Sequence, residues 1–456
     1  MFSTTDTIAA IATAAGRGGI GVVRISGPNA QAVAGGVLGT STSLAPRYAT
    51  FARLRLAAGR ASVGDHVIAT FFPAPHSFTT EDTVEISAHG SPVILASILD
   101  ACVRYGARLA APGEFTFRAY VHGRLELTQA EAVADLVEAL TPLQARIAFD
   151  QLEGSLATAI CGLSETLLDL TARLEASLDF PEEGYHFIDP EEIRHEVARM
   201  RIEVSDLLAR ADEGRVIREG CRVVIAGPVN AGKSSLFNRL AGLDRAIVAS
   251  TPGTTRDLLV EAVDLCGVPV TLVDTAGLRE TDSEVEAEGV RRAERAAEGA
   301  AVTLLVLDGS QPLLAEHRDL LRRTARASRV VVANKADLPA AWTALSAGVE
   351  DICLTSARTG EGLDRLRAAV RGALGGGAVE AELPRVTNVR HAALLARAGE
   401  AFDCLLNDLS DPSCSPPEEV VVHGLTRVRA MVEEISGART QEDVLAHIFA
   451  RFCIGK

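Results

Sequence analysis

The chain has 456 residues, 47% of them apolar, with 60 acidic against 45 basic side chains and a net charge of −15. That length allows about three domains with ordinary cores. The acidic balance argues against a self-sufficient nucleic-acid binder, because neutralising phosphates takes clustered Lys and Arg. No apolar run reaches the ~18 residues of a membrane span, and no basic region precedes the first apolar stretch, so neither a span nor a signal peptide is indicated and a cytoplasmic location is expected.

Taken in chain order, the first part is of α+β type. Short β-like runs at 21–25 and 67–72 alternate with a helical stretch near 92–105. Gly16-Arg17-Gly18-Gly19 has the letters of a KH-type loop, but the helix pattern such a module needs is missing. Helical sequence follows. Thr128-Gln129-Ala130-Glu131 reads as a capping box opening one helix. Leu163, Leu167, Leu170, Leu174 and Leu178 recur at steps of four and three until Phe180-Pro181. Asp189-Pro190 starts another helix, with Ile193, Val197, Met200, Val204 and Leu207 on one side. Residues 214–220 read as a lead into a new domain, and the glycine-rich 372–377 as the way out. Helices at 388–409, 418–435 and 440–452 complete the chain. Eight cysteines show no C-x-x-C spacing; Cys102, Cys161, Cys221, Cys266, Cys353 and Cys404 lie in apolar sequence and read as reduced core thiols.

The middle of the chain carries the chemistry. Gly227-Pro228-Val229-Asn230-Ala231-Gly232-Lys233-Ser234, followed by Ser235, comes directly after the apolar run 222–226 and fits the phosphate loop G-x-x-x-x-G-K-S/T. Its glycines let backbone N–H groups turn inward toward phosphate oxygens; Lys233 would neutralise the β/γ charge and Ser234 would ligate magnesium. Asp274-Thr275-Ala276-Gly277 follows the run 270–273 as a D-x-x-G element, with Asp274 toward the metal and the Gly277 amide toward the γ-phosphate. Asn334-Lys335-Ala336-Asp337 after 330–333 is an N-K-x-D box. Its Asp337 carboxylate suits the N1–H and exocyclic amine of guanine, whereas adenine has no donor at N1. Thr355-Ser356-Ala357-Arg358 supplies amides for the guanine carbonyl. Together these four strings in order specify a GTP site.

The catalytic groups are less direct. Ras-like switches place Gln after D-x-x-G to orient water, and this chain has Leu278 there. The acidic segment 278–286 either offers carboxylates instead or is a solvated helix start. Gly253-Thr254-Thr255-Arg256-Asp257 falls where a switch-one threonine should ligate magnesium, with Thr255 the candidate. No arginine finger is assignable by spacing, so Asn230 is either a loop-stabilising Asx residue or part of a monovalent-cation site that replaces the arginine.

Asp6-Thr7-Ile8, the segment 16–27, Ser77-Phe78-Thr79-Thr80-Glu81-Asp82, His89-Gly90, Ala111-Pro112-Gly113-Glu114-Phe115 and the terminal Cys453-Ile454-Gly455-Lys456, with the GTPase boxes between, closely resemble the MnmE (TrmE) family of tRNA modification GTPases within the TrmE-Era-EngA-like GTPases. The resemblance implies an α/β P-loop GTPase domain at 218–377, inserted into an all-α helical domain of halves 123–217 and 378–456. An α+β tetrahydrofolate-binding and dimerisation domain at 1–122 precedes them. It further implies a potassium-stimulated GTPase, a homodimer, working with the FAD-containing partner MnmG in a heterotetramer or larger complex. That pair adds a carboxymethylaminomethyl-type group to C5 of the wobble uridine of certain tRNAs, using a one-carbon unit from a 5,10-methylene or 5-formyl tetrahydrofolate. With so acidic a chain, the tRNA grip is expected mainly from the partner.

Carried residue by residue, the resemblance places potassium at Asn230, Thr254 and the carbonyls of Ala249 and Thr251. Magnesium falls at Ser234 and Thr255, and the water-positioning glutamate at Glu286. The nucleotide contacts extend through Ser250, Pro252 and Gly253. The folate falls to Arg24, Glu85, Lys456 and Arg124, the last standing where the family usually has Lys. A carboxylate for the pterin N–H pair and cations for the glutamate tail suit that ligand, although a planar fork and a point charge bind oxygens differently. Two other classes compete: an RNA-binding ribosome-assembly GTPase, which would carry a KH-like appendage, and a nucleotide-gated scaffold with no part in modification.

Overall fold

The computed structural model describes residues 5–40, 43–58, 61–179, 189–243, 259–274, 300–324, 328–375, 385–410 and 416–455. The chain divides into two compact units, one of residues 1–134, 151–187 and 417–456, the other of residues 135–150 and 188–416.

In the first unit, strands β1 (Ile8–Ile11), β2 (Gly18–Ser26), β3 (Thr50–Ala58), β4 (Ala61–Phe72), β5 (Thr83–Gly90) and β6 (Arg108–Leu109) form a sheet in the order β3-β4-β5-β2-β1-β6. Neighbours are antiparallel except the β1–β6 pair. Successive side chains on a strand point to opposite faces. Val23 and Ile25 on β2, with Val84 and Ile86 on β5, are therefore buried beneath helices Ala30–Leu38 and Pro92–Arg104. A Cβ on Gly21 would lie 2.5 Å from Leu95, so the second helix packs directly on backbone there. The same alternation turns Arg24 and Glu85, opposite each other in register, to the other face.

Helix Ser155–Asp179 buries Leu163, Leu167, Leu170 and Leu174 and packs along helix Glu418–Ser436. Helix Leu127–Glu138 begins earlier than its sequence box suggests. The Gln129 side chain accepts the Glu126 N–H at 3.0 Å, so the capping bond is made to Glu126 and Thr128 lies inside the first turn with a buried hydroxyl. Phe117, Leu127, Phe449 and Phe452 form a satellite core, with Phe117 and Phe449 edge to face at 5.2 Å.

A buried ionic cluster fastens the start of β1 to helix Glu114–Val121. Arg118 is 0% exposed and pairs with Asp6 at 2.6 Å, Glu114 at 3.0 Å and Glu81 at 3.1 Å. Arg108 adds bonds to Asp6 and Glu114. The Arg108 hydrogen bond holds the Asp6 carboxyl below its ordinary range; for Glu114, burial pushes upward but the bonds from Arg108, the Ala111 amide and Arg118 outweigh it. Both carboxyls are depressed. Their stabilisation is therefore complete above the ordinary values of 3.8 and 4.5 and is lost as pH falls through the lower native values. Removing one partner of such a set strands the other charges, so Arg118→Ala is expected to cost about 3 to 5 kcal/mol. A urea-unfolding midpoint within error of the parent would contradict this.

In the second unit, β7 (Cys221–Ala226), β8 (Leu259–Leu265), β9 (Val268–Asp274), β10 (Val302–Asp308), β11 (Arg329–Asn334) and β12 (Cys353–Leu354) form a sheet in the order β12-β11-β10-β7-β9-β8. All pairs are parallel except β8–β9. Val223, Ile225, Leu272, Leu304 and Val332 build one core with helices Lys233–Leu243 and Leu363–Ala373. Helix Pro190–Leu208 opens on Asp189, which accepts the Glu191 N–H, and packs on helix Val389–Leu409 through Arg201–Asp403 bonds of 2.8 and 2.9 Å. The expected lead at 214–220 runs into β7 mostly as helix, Ala211–Glu219. Gly214 is inside it because a Cβ there would lie 2.4 Å from the Val386 carbonyl oxygen. Cys266 and Cys404 are exposed, which corrects the reading of them as core thiols; Cys102 and Cys353 are buried.

Candidate nucleotide site and N-terminal arginine cluster

In an open parallel sheet, ligands sit beyond the carboxyl ends of the strands. Here β7 runs into the phosphate loop, β9 ends at Asp274 and β11 ends at Asn334. The loop's backbone has little room for any other sequence. Gly227 has φ 146° and a Cβ there would lie 2.0 Å from the Val306 carbonyl oxygen; Gly232 has φ 88° and would meet Asn334 Nδ2 at 2.2 Å. Asn230 also takes a left-handed conformation, φ 62°, which Asn tolerates better than most residues. Helix Lys233–Leu243 starts at the loop's end and turns its positive dipole toward it.

Lys233 is 9% exposed and its Nζ donates to the Pro228 carbonyl at 2.8 Å, so the ammonium is folded across the loop. Burial lowers its pKa, with the charge of Asp274 offsetting part of that. Asp274 is fully buried, Ala231 is buried, and Ser234 and Ser235 are exposed. Asn334 ties the boxes together: its Nδ2 donates to the Ala231 carbonyl at 2.9 Å and its Oδ1 accepts the Ala357 N–H at 3.1 Å. Ser356 Oγ donates to Asp337 Oδ1 at 2.6 Å, while Arg358 stands 3.8 Å from Oδ2. The Ser356 bond is the chief cause holding the Asp337 carboxyl below its ordinary range, so it is ionised at neutral pH. Phosphate loop, Asp274, Asn334, Lys335, Asp337 and Ser356 to Arg358 thus lie at one end of the sheet. Asp308, which accepts from Lys335 Nζ at 2.6 Å, was not singled out from sequence, although its apolar run 302–307 ends in a carboxylate just as β9 does.

In the other unit, Arg24 donates to Glu85 Oε1 through Nε at 2.9 Å and Nη2 at 2.8 Å. Its Nη1 also reaches the Gly455 carbonyl at 3.4 Å. The Arg24 guanidinium lies over the rings of Phe78 and Phe115 at 5.6 and 5.7 Å, and that of Arg124 over Phe78 at 5.7 Å. Arg124 further donates to the Ser77 carbonyl. Phe78, Phe115 and the Gly455 carbonyl are the parts that sequence reasoning left without a role. The assignments to Ala249, Ser250, Thr251, Pro252, Gly253, Thr254, Thr255, Thr275, Ala276, Gly277, Glu286 and Lys456 lie outside the described residues.

Comparison with known proteins agrees along the whole chain. Residues 7–124 match the family model of the GTP-binding protein TrmE N-terminus, and residues 127–453 that of the MnmE helical domain. A tRNA modification GTPase MnmE of Chromobacterium violaceum is 42% identical over 461 residues, covering 99% of both chains. Those of Neisseria meningitidis serogroup C and Nitrosomonas europaea are 42% and 40% identical, each covering all of both chains. With a phosphate loop, a buried strand-end aspartate and an N-K-x-D box at one sheet end, and relatives this similar over their full length, the chain belongs to the MnmE (TrmE) family of tRNA modification GTPases.

Proposed function

We propose that this chain hydrolyses GTP to drive tRNA modification. With an FAD-containing partner of the MnmG type, it would add a carboxymethylaminomethyl-type group to C5 of the wobble uridine of certain tRNAs. The observation that carries the reading is the convergence of Lys233, Asp274, Asn334 and Asp337 at one end of the β7–β9–β11 sheet, in a chain similar throughout to tRNA modification GTPases. Lys233 neutralises phosphate charge and the loop amides cradle the oxygens. Asp337, oriented by Ser356, would accept the two guanine donors, and amides of the 355–358 loop would meet the base carbonyl, with the Ala357 N–H shared with Asn334 Oδ1.

The donor types suit the expected groups. Oxygen ligands from Ser234, Thr255 and, through water, Asp274 fit magnesium, which would neutralise charge on the β- and γ-phosphates. Asn230, Thr254 and the carbonyls of Ala249 and Thr251 fit potassium, which would supply the positive charge an arginine finger gives elsewhere. Glu286 then positions the attacking water. For the N-terminal domain, one carboxylate beside two guanidinium groups and aromatic faces fits a pterin with an anionic tail, so Arg24, Glu85, Arg124 and Lys456 are the proposed holders of a tetrahydrofolate that supplies the one-carbon unit. Because Arg24 and Glu85 already satisfy each other, binding must open or share that pair. Dimerisation through this domain and a domain order with the GTPase part inserted in the helical part belong to the same proposal.

Mass spectrometry of tRNA nucleosides tests the function. A strain lacking the gene is expected to lose the C5 side chains of its wobble uridines and regain them on complementation, and unchanged nucleosides would refute the role. For the cation site, GTP turnover in potassium is expected to exceed that in sodium by about tenfold or more. Equal rates in the two salts would reject Asn230 as a ligand.

A further inference from the structure

We propose that Asp308 is a positioning residue for guanine nucleotide binding, acting through Lys335; this deepens the GTP-site reading and rests on it. Lys335 has a left-handed backbone, φ 66°, a conformation that a long side chain adopts only when its surroundings enforce it. The enforcing element is the turn after β10. Gly309 N–H donates to the Asn334 carbonyl at 2.8 Å, and a Cβ on Gly309 would lie 2.9 Å from that same oxygen, so only glycine lets the two loops meet. The turn is fastened from behind by Ala341 N–H to the Gly309 carbonyl at 2.9 Å and Trp342 Nε1 to the Asp308 carbonyl at 2.9 Å.

Within that turn Asp308 is locked by its own neighbour. Ser310 donates to Oδ1 from its N–H at 2.9 Å and its hydroxyl at 2.6 Å. This leaves Oδ2 aimed at Lys335 Nζ, 2.6 Å away. With its ammonium held there, the lysine would offer the methylenes of its stem as an apolar strip to one face of a purine while its charge is kept off the base. A surface ion pair alone contributes little to stability. A carboxylate this thoroughly braced is better accounted for by what it positions.

The test uses the full-length chain and a fluorescent guanine nucleotide displaced by GDP and GTP. Asp308→Ala is expected to weaken both about tenfold. KM for GTP should rise by a similar factor, with a smaller change in kcat. The discriminating measurement is the cycle with Lys335→Ala: if Asp308 works through Lys335, the double variant binds GDP no more weakly than Lys335→Ala alone. Should Asp308→Ala not fold, Asp308→Asn keeps the shape and is expected to weaken binding about threefold. Binding within error of the parent in whichever variant folds, or a loss that adds in full to that of Lys335→Ala, would overturn the proposal. Parent protein that binds neither GDP nor GTP would overturn the GTP-site reading and this inference with it.

Discussion

Lys233→Ala is expected to lower GTP turnover by about 10² to 10³ at saturating nucleotide, the loss typical when one preorganised donor to a developing oxyanion is removed. The lysine emerges at the first turn of helix Lys233–Leu243 and bends back over the loop to Pro228, so no other described cation shares its position. Because burial already lowers its pKa, the ammonium is poorly compensated without nucleotide, and phosphate oxygens offer it a better partner than a carbonyl. Lys233→Arg should not rescue, since a planar fork cannot fold across the loop as a single ammonium does. Phosphate release within threefold of the parent, from protein of unchanged circular dichroism, would remove Lys233 from the mechanism.

The second large effect is a change of base. In the parent, Ser356 Oγ occupies Asp337 Oδ1 and leaves Oδ2 with acceptor capacity for the base. With Asp337→Asn, Ser356 donates to the amide oxygen and thereby turns the amide N–H₂ toward the nucleotide. That donor meets the amine of guanine, a donor as well, but the C2 carbonyl of xanthine accepts it. GTP should bind about a hundredfold more weakly and XTP more tightly than GTP, an inversion of preference. Competition titrations that leave GTP preferred over XTP would show that another residue reads the base.

The nucleotide half was legible because each box stands at the end of a short apolar strand, where chain order alone brings motif and sheet end together. β10 was not read, since its seven residues carry no known string, and with it Asp308 was passed over. In the N-terminal half, β1 is only four residues, and β3, whose Arg53-Leu54-Arg55-Leu56 alternation has the period of a half-buried strand, lies outside the runs singled out above. Arg24 and Glu85 are 61 residues apart and meet through an antiparallel register, which spacing cannot supply; the family resemblance named both without saying that they would pair. Residues 214–220 run into β7 as the end of a helix, and Gly214 serves close packing against the 386 backbone there, a contact that glycine spacing alone cannot show.

Guanine recognition at the end of β11 underlies every functional statement, and a direct competition measures it. With magnesium present, GDP should displace a fluorescent guanine nucleotide from the full-length chain at a concentration about 10³-fold or more below that of ADP, because adenine would leave the Asp337 carboxylate unpaired. Equal displacement by the two, or none by either, would contradict the account.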